Sequence, residues 1–327
     1  MRVLVLGGAV FVGRTVIDVA LAHRHEVVVA ARGIAGEPPP GVRFVSLDRT
    51  TTGALDAVPG HFDLAVDTWS GAPRIVQDGA RSLVGRVGCY CYISSRSVYH
   101  QPMVPFADEH GPTVVARAGA PATNYPADKR GAELAVAEAF PANHVLLRAG
   151  LVLGPRENVG RLAWWLRRIA AGGDILAPGP SELAIQYVDV RDLAKFVLRM
   201  PPSGAYNVVS PPGHTTMGAL LDACRDVTGS DGRLVWTAPD RITAAGISPW
   251  TQLPIWIPGD SADYAMHQTD VTKARAAGLE CRAVADTVRD TWTWLLTAGP
   301  NAGVPPTDRP VGVPPELEAQ ALAPKLG

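Results

Sequence analysis

Arg2-Val3-Leu4-Val5-Leu6 runs directly into Gly7-Gly8-Ala9-Val10-Phe11-Val12-Gly13, and this junction decides the fold. The first five residues form an apolar, β-rich run. Arg14 to His23 is patterned as a helix, and Glu26 to Ala31 as a second strand. Strand, glycine turn, helix and strand in this order are the context that a dinucleotide-binding fingerprint requires. Glycine lets the turn close tightly and lets the helix pack on the strand. The helix N-terminus then aims backbone N–H groups at a pyrophosphate. A G-x-x-G-x-x-G template fits at Gly7 and Gly13, but Val10 stands at the middle glycine. The pyrophosphate therefore either sits further off or leans on Gly8. Candidate contacts in this stretch are Gly7, Gly8, Phe11, Val12 and Gly13; the plain alternative is a tight turn of an α/β fold.

Outward from the junction, the second strand ends Ala30-Ala31-Arg32-Gly33. An NAD-preferring site places an acid near this point, for the ribose 2′-hydroxyl. Here a cation stands instead. Arg32 suits a 2′-phosphate, with Arg14 nearby at the helix start, which favours NADP and leaves NAD as the alternative. Between Arg32 and Val42 three prolines forbid a packed helix. Val42 to Leu47 reads as a third strand ending at Asp48, whose acid either meets an adenine amino group or caps a helix from Thr50 to Ala57. Phe62 to Val66 is a fourth strand, ending Asp67-Thr68-Trp69-Ser70. A helix follows through Val76 to Leu83, and then the strand Cys89 to Ile93. This alternation predicts an α/β fold, a Rossmann-type doubly wound parallel sheet, with ligands beyond the carboxyl ends of its strands. Gly7, Arg32, Asp48, Trp69 and Ser95 all fall at such ends.

The chemistry centres on Ser94-Ser95-Arg96-Ser97-Val98-Tyr99 and on Asn124-Tyr125-Pro126-Ala127-Asp128-Lys129. The first follows the Cys89–Ile93 strand. The second opens a helix, with Asn124 suited to cap it and Pro126 to its first turn. Tyr125 and Lys129 are four apart and share a helix face. A phenol beside an ammonium and a positive helix end is easier to ionise. Bringing it from ~10 to near 7 takes about 4 kcal/mol of differential stabilisation. Such a tyrosine is a general acid or base at neutral pH, and a serine hydroxyl from the strand end can polarise the substrate oxygen. A chance pair on a helix surface is the bland alternative.

The chain has 327 residues, is 47% hydrophobic and 19% charged, and carries a net charge of −1. That fits a globular protein with a sizeable core and gives no electrostatic case for nucleic acid or an anionic membrane. The cysteines, Cys89, Cys91, Cys224 and Cys281, lack the spacing of a metal site. No metal, a cytoplasmic location with reduced thiols, and a small-molecule substrate are the expectations, with the chain a monomer or homodimer. The N-terminal run is not patterned as a signal peptide, and no stretch approaches a membrane span.

Further along, His144 to Ala149 reads as a strand, Arg161 to Ala171 as a helix bearing Trp164 and Trp165, and Ile185 to Val190 as a strand. Asp189 starts a helix ending near Met200, and Tyr206 to Val209 is a strand. Thr215-Thr216 caps the helix Met217 to Thr228, and Leu234 to Trp236 is strand-like. The Pro- and Trp-rich Ile247–Asp260 reads as irregular cover over a pocket, and Val284 to Thr297 as the last solid helix. The expected organisation is a dinucleotide-binding domain over 1–153, with 183–200 returning to it. A smaller C-terminal substrate-binding lobe covers 154–300, and a Pro/Gly-rich tail 301–327.

These motifs, in order, resemble the extended short-chain dehydrogenase/reductase superfamily from Met1 to about Thr297. The resemblance is closer to the NAD-dependent epimerase/dehydratase family and its atypical, reductase-like relatives. It rests on Gly-Gly-x-x-Phe-Val-Gly, Ile-Ser-Ser-x-Ser-Val-Tyr, Asn-Tyr-Pro-Ala-Asp-Lys, Leu-Arg-Ala-Gly-Leu-Val-Leu-Gly-Pro and Ile-Gln-Tyr-Val-Asp-Val-Arg-Asp-Leu-Ala. The short Gly33–Gly41 loop is nearer the atypical branch. The resemblance implies that Tyr125 is the acid/base and that Lys129 holds the nicotinamide ribose and lowers the pKa of Tyr125. It implies Ser95 as the catalytic serine, with Ser94 the fallback. Leu47 and Asp48 would touch adenine, Thr68 and Trp69 would complete the cofactor set, and the Leu151 backbone would approach the carboxamide. Val10 and Ala149 depart from the family pattern, at the central glycine and at the usual proline. The implied activity is an NADP(H)-linked oxidoreductase moving hydride to or from a carbonyl or secondary alcohol carbon. The alternatives are a nucleotide-sugar epimerase or dehydratase with retained NAD, and a non-catalytic NADP-sensing Rossmann protein.

Overall fold

The computed structural model describes residues 1–8, 10–34, 39–305 and 310–323, which fall into two compact units. The first comprises Met1–Gly150, Val190–Val209 and Asp270–Glu280; the second comprises Leu151–Asp189, Ser210–Thr269 and Cys281–Gly327.

The first unit is built on β1 (Arg2–Leu6), β2 (Glu26–Ala31), β3 (Arg43–Ser46), β4 (Phe62–Asp67), β5 (Val87–Ser95), β6 (His144–Ala149) and β7 (Gly204–Val208). Neighbours are parallel throughout, in the order β7-β6-β5-β4-β1-β2-β3. This is the Rossmann-type doubly wound order, with its switch point between β1 and β4. A parallel sheet is covered on both faces, so its strands are continuous apolar runs. Val3, Leu4, Val5 and Leu6 are accordingly all buried.

The strand alternation sends Leu4 and Leu6 to one face. There they join Val76, Ala80 and Leu83 of α2 (Pro73–Leu83) and Ala132, Ala135 and Val136 of α3 (Tyr125–Ala139) in one core. Gly131 sets how closely these helices meet: a Cβ there would lie 2.6 Å from both the Arg117 carbonyl oxygen and the Pro73 ring. α1 (Phe11–Ala22) buries Val16, Ile17 and Ala20 and packs against α4 (Val190–Leu198).

β2 and β6 have the bounds read from sequence, and Asn124 caps α3 through Oδ1, which accepts from Ala127 N–H at 3.1 Å. Of the two uses open to Asp48, the cap of a helix from Thr50 to Ala57 meets only a 3₁₀ turn, Ala54–Ala57. Asp48 Oδ1 accepts from Thr50 N–H at 2.9 Å and from the Thr50 hydroxyl at 2.8 Å, a local side-chain turn ahead of that segment. Ala9 and residues 35–38 of the Gly33–Gly41 loop lie outside the described residues.

The second unit has its own core, with Trp165 and Trp256 fully buried among side chains of the helices Arg161–Ala170, Met217–Thr228 and Val284–Thr297. The expected strand Ile185–Val190 is broken into Ala184–Ile185 and Val188–Asp189. Between them Gln186 is fully buried, its amide donating to the Ser210 and Thr269 carbonyls at 2.8 and 3.0 Å. These side-chain bonds take the place of a strand ladder. Ile247–Asp260 is largely irregular as expected, and its Leu253, Ile255 and Trp256 belong to the core of this unit. A terminal helix, Pro315–Leu322, docks through Glu318, which pairs with Arg168 at 2.8 Å and accepts from Leu176 N–H at 3.0 Å. Among the described residues no helix is long and apolar enough to cross a membrane, and no group of three or more His, Cys, Asp or Glu side chains suits a metal ion.

Candidate active site

The C-terminal ends of β1, β4 and β5 carry the first-unit residues that matter most. At the end of β1, Gly7 has φ +100, and its N–H donates to the Ala30 carbonyl at 3.1 Å. A Cβ at Gly7 would stand 2.8 Å from Thr68 Oγ1, and one at Gly13 would stand 2.9 Å from the Gly8 Cα. Larger residues at either position would force the β1–α1 turn open. Val10 is the N-cap of α1 and is 52% exposed. Among the described residues no side chain caps that helix and no acid lies in its first turn, so its leading N–H groups have no side-chain acceptor there. That arrangement fits a dinucleotide phosphate. Thr68 closes the other side, its N–H and hydroxyl both donating to the Leu6 carbonyl at 3.3 and 3.1 Å.

Arg32 is exposed at the end of β2, whereas Arg14 is held by Asp18 at 3.0 Å. The sequence reading that paired Arg14 with Arg32 thus meets a competing partner one helical turn away. Asp48 is exposed. Its hydrogen bonds from Thr50, and secondarily the charge of Arg32, hold its carboxyl below the usual range. Leu47 is half-buried beside it.

Lys129 is buried on the first turns of α3, and its ammonium donates to the Trp69 carbonyl at 2.8 Å and the Ile93 carbonyl at 2.7 Å. It lies 4.7 Å from the Tyr92 ring centre and 5.9 Å from that of Tyr125. Burial pushes this ammonium down to about 8, against the opposing pull of the Asp67 and Glu133 carboxylates. Tyr125, at the first position of the helix, is 47% exposed. The two serines separate. Ser94 is buried and its hydroxyl donates to Glu133 at 2.8 Å, while Ser95 is half-buried and its Oγ accepts from Ser97 N–H at 3.1 Å. Tyr99 is buried, its hydroxyl donating to Asn207 at 2.7 Å. Leu151 belongs to the second unit, where its carbonyl accepts from Val188 N–H at 2.8 Å.

Beneath these groups lie two buried ion pairs that the sequence reading missed. Arg49 grips Asp67 with two bonds, 2.6 and 2.8 Å, and Tyr90 adds a third at 2.6 Å. Burial alone would raise the Asp67 carboxyl, but Arg49 with the Tyr90 and Trp69 donors carries it below the ordinary range. Glu133, fully buried on α3, accepts from Arg148 at 2.9 and 3.0 Å, from Arg130 at 2.8 Å and from Ser94. Two signals were present: Glu133 continues the four-residue series Tyr125, Lys129, and Arg148 interrupts an apolar strand.

A sequence model of the NAD dependent epimerase/dehydratase family matches residues 78–208. Among curated proteins no match was found. Three of the similar solved structures illustrate the likeness. A UDP-glucose 4-epimerase with UDP-glucose from Thermotoga maritima is 19% identical, with TM-score 0.64, covering 91% of this chain and 99% of that one. The enzyme WbmH of Bordetella bronchiseptica in complex with NAD+ is 16% identical, with TM-score 0.69 and coverage of 91% and 99%. A UDP-glucose 4-epimerase of Thermus thermophilus in complex with NAD is 23% identical, with TM-score 0.61 and coverage of 91% and 100%. At these identities the likeness establishes the fold.

Proposed function

We propose that this chain, whose residues 78–208 match the model of the NAD dependent epimerase/dehydratase family, is an enzyme that moves hydride between a nicotinamide dinucleotide and the carbinol or carbonyl carbon of a small molecule. The observation that carries this reading is the seating of Lys129: a buried ammonium on two carbonyls, near the ring of a half-exposed tyrosine. Gly7, Gly8, Phe11, Val12 and Gly13 would hold the pyrophosphate, with Leu47, Asp48, Thr68 and Trp69 along the rest of the dinucleotide. When bound, the dinucleotide supplies or accepts the hydride. Tyr125 gives or takes the proton on the substrate oxygen, and Ser95 donates a hydrogen bond to that oxygen. Ser94 is unsuited to that task because Glu133 already takes its hydroxyl.

Arg32 supports the 2′-phosphorylated form, because the end of β2 offers a cation and no carboxylate of its own. A second reading, a nucleotide-sugar epimerase or dehydratase that retains NAD, is favoured by the similar structures solved with NAD and with UDP-glucose. Native mass spectrometry of the protein as purified, followed by NADPH and NADH titration of cofactor-free protein, separates them. An empty site that prefers NADPH supports an exchanging oxidoreductase. Tightly retained NAD supports the second reading. Tyr125→Phe should abolish turnover and leave dinucleotide affinity within about twofold; full turnover in that variant refutes the assignment.

A further inference from the structure

The Arg49–Asp67 pair is joined to Lys129 through one peptide unit. Asp67 Oδ1 accepts from the Trp69 N–H at 2.9 Å, and the carbonyl of the same residue accepts from Lys129 at 2.8 Å and from the Tyr92 hydroxyl at 2.8 Å. Asp67 thus carries four hydrogen bonds, two from Arg49, one from Tyr90 and one from Trp69, which saturate a carboxylate. Its side chain is fully buried and that of Arg49 is 6% exposed. The Arg49 guanidinium also stands 5.4 Å from the Trp69 ring centre. Both lone pairs of the Trp69 carbonyl are used. The turn after β4 therefore has one conformation that satisfies Arg49, Asp67, Tyr92 and Lys129 together. A buried ion pair contributes little net stability compared with apolar residues of the same volume. Its placement here, one peptide from the lysine seat, has a use in orientation.

We propose that Arg49 and Asp67 are positioning residues for Lys129, holding the Trp69 carbonyl where it receives the lysine ammonium. The inference rests on the proposed role of Lys129, but its structural claim is testable without turnover. The ionisable groups facing the ammonium are Asp67 at the end of β4, Tyr92 of β5, and Tyr125 and Glu133 of α3. Arg49 and Tyr90 bear on it through Asp67, and Arg130 and Arg148 through Glu133. The buried state of Lys129 makes its proton affinity a sensitive report on that surround.

The chain has four lysines, Lys129, Lys195, Lys273 and Lys325, so selective ¹³C-lysine labelling yields a resolvable set of side-chain resonances. Lys129→Met assigns the one of interest. The test is its pH titration in cofactor-free protein, in wild type, in Asp67→Asn and in the paired variant Arg49→Gln/Asp67→Asn. The paired variant leaves a neutral amide couple and so avoids a lone buried guanidinium. In Asp67→Asn the loss of the carboxylate's pull lowers Lys129 proton affinity by itself, so the charge-balanced paired variant is decisive: positioning through Asp67 predicts at least a tenfold fall in Lys129 proton affinity there, with the Lys129 resonance displaced even below its midpoint. A purely structural pair would lower the melting temperature of the paired variant and leave its Lys129 titration and resonance unchanged, and that result overturns the proposal. If Asp67→Asn does not fold, the paired variant decides alone. Loss of the Tyr125 assignment would show in turnover and would not touch this readout.

Discussion

Replacing Glu133 with Ala is the most demanding perturbation of the site's foundation. Its carboxylate is fully buried and receives four hydrogen bonds: two from Arg148, at 2.9 and 3.0 Å, one from Arg130 at 2.8 Å and one from Ser94 at 2.8 Å. Arg148 is itself buried and, besides Glu133, touches the Tyr99 hydroxyl at 3.0 Å and the Glu109 carbonyl at 2.8 Å, neither of which bears a formal charge. The variant therefore leaves a guanidinium inside the protein without its counter-charge. Removing one partner of such a pair costs roughly 3–5 kcal/mol, a large part of the total of about 5–15 kcal/mol that holds a domain together. For a unit of this size the fall in Tm is on the order of 10 °C. Urea denaturation measures the loss, and hydrogen exchange on α3 peptides locates it. The paired variant Glu133→Leu/Arg148→Met removes both charges and should recover most of the stability, since well-packed apolar residues replace a buried pair at little cost. A Glu133→Ala protein within about 1 kcal/mol of wild type, or a paired variant as unstable as the sum of its singles, refutes the reasoning.

The Lys129 ammonium, lowered from 10.5 to about 8, gives a pH dependence of defined sign. Between those values the unfolded chain holds a proton that the folded chain has lost, so stability should rise with pH across that window, by at most about 3 kcal/mol. Lys129→Met lacks the group and should lack the rise; a constant difference between the two proteins in urea midpoint from pH 7 to 10 would count against the burial argument. Gly13→Ala drives a Cβ to 2.9 Å from the Gly8 Cα and should cost roughly 1–3 kcal/mol of stability and at least tenfold in NADPH affinity by fluorescence titration. Arg32→Glu should lower the NADPH-to-NADH affinity ratio tenfold or more, and an unchanged ratio would remove Arg32 from cofactor choice.

The elements were legible in the sequence wherever local physics is sufficient. Arg2–Leu6 followed by Gly7 and Gly13 announces a strand, a tight turn and a helix, because a parallel strand buried on both faces has to be apolar along its length. Asn124, Pro126 and the four-residue interval from Tyr125 to Lys129 announce a capped helix in the same way. The same local logic failed at Gln186, where a buried amide competed with a strand.

What the tertiary structure decided is which distant charges meet. Arg49 finds Asp67 because β3 is followed by a turn that returns the chain to β4. Lys129 finds Trp69 across 60 positions because α3 packs on β5 and on the 3₁₀ turn that follows it, next to the end of β4 in the sheet. Ser94 and Ser95 are indistinguishable as neighbours in the chain, but alternation along β5 turns Ser94 toward Glu133 and leaves Ser95 at the strand's end. Periodicity encodes which face of an element is buried. It carries no record of the strand order β5-β4-β1-β2-β3 that brings one buried carboxylate to one buried cation, and so the site's charges were fixed only when the sheet assembled.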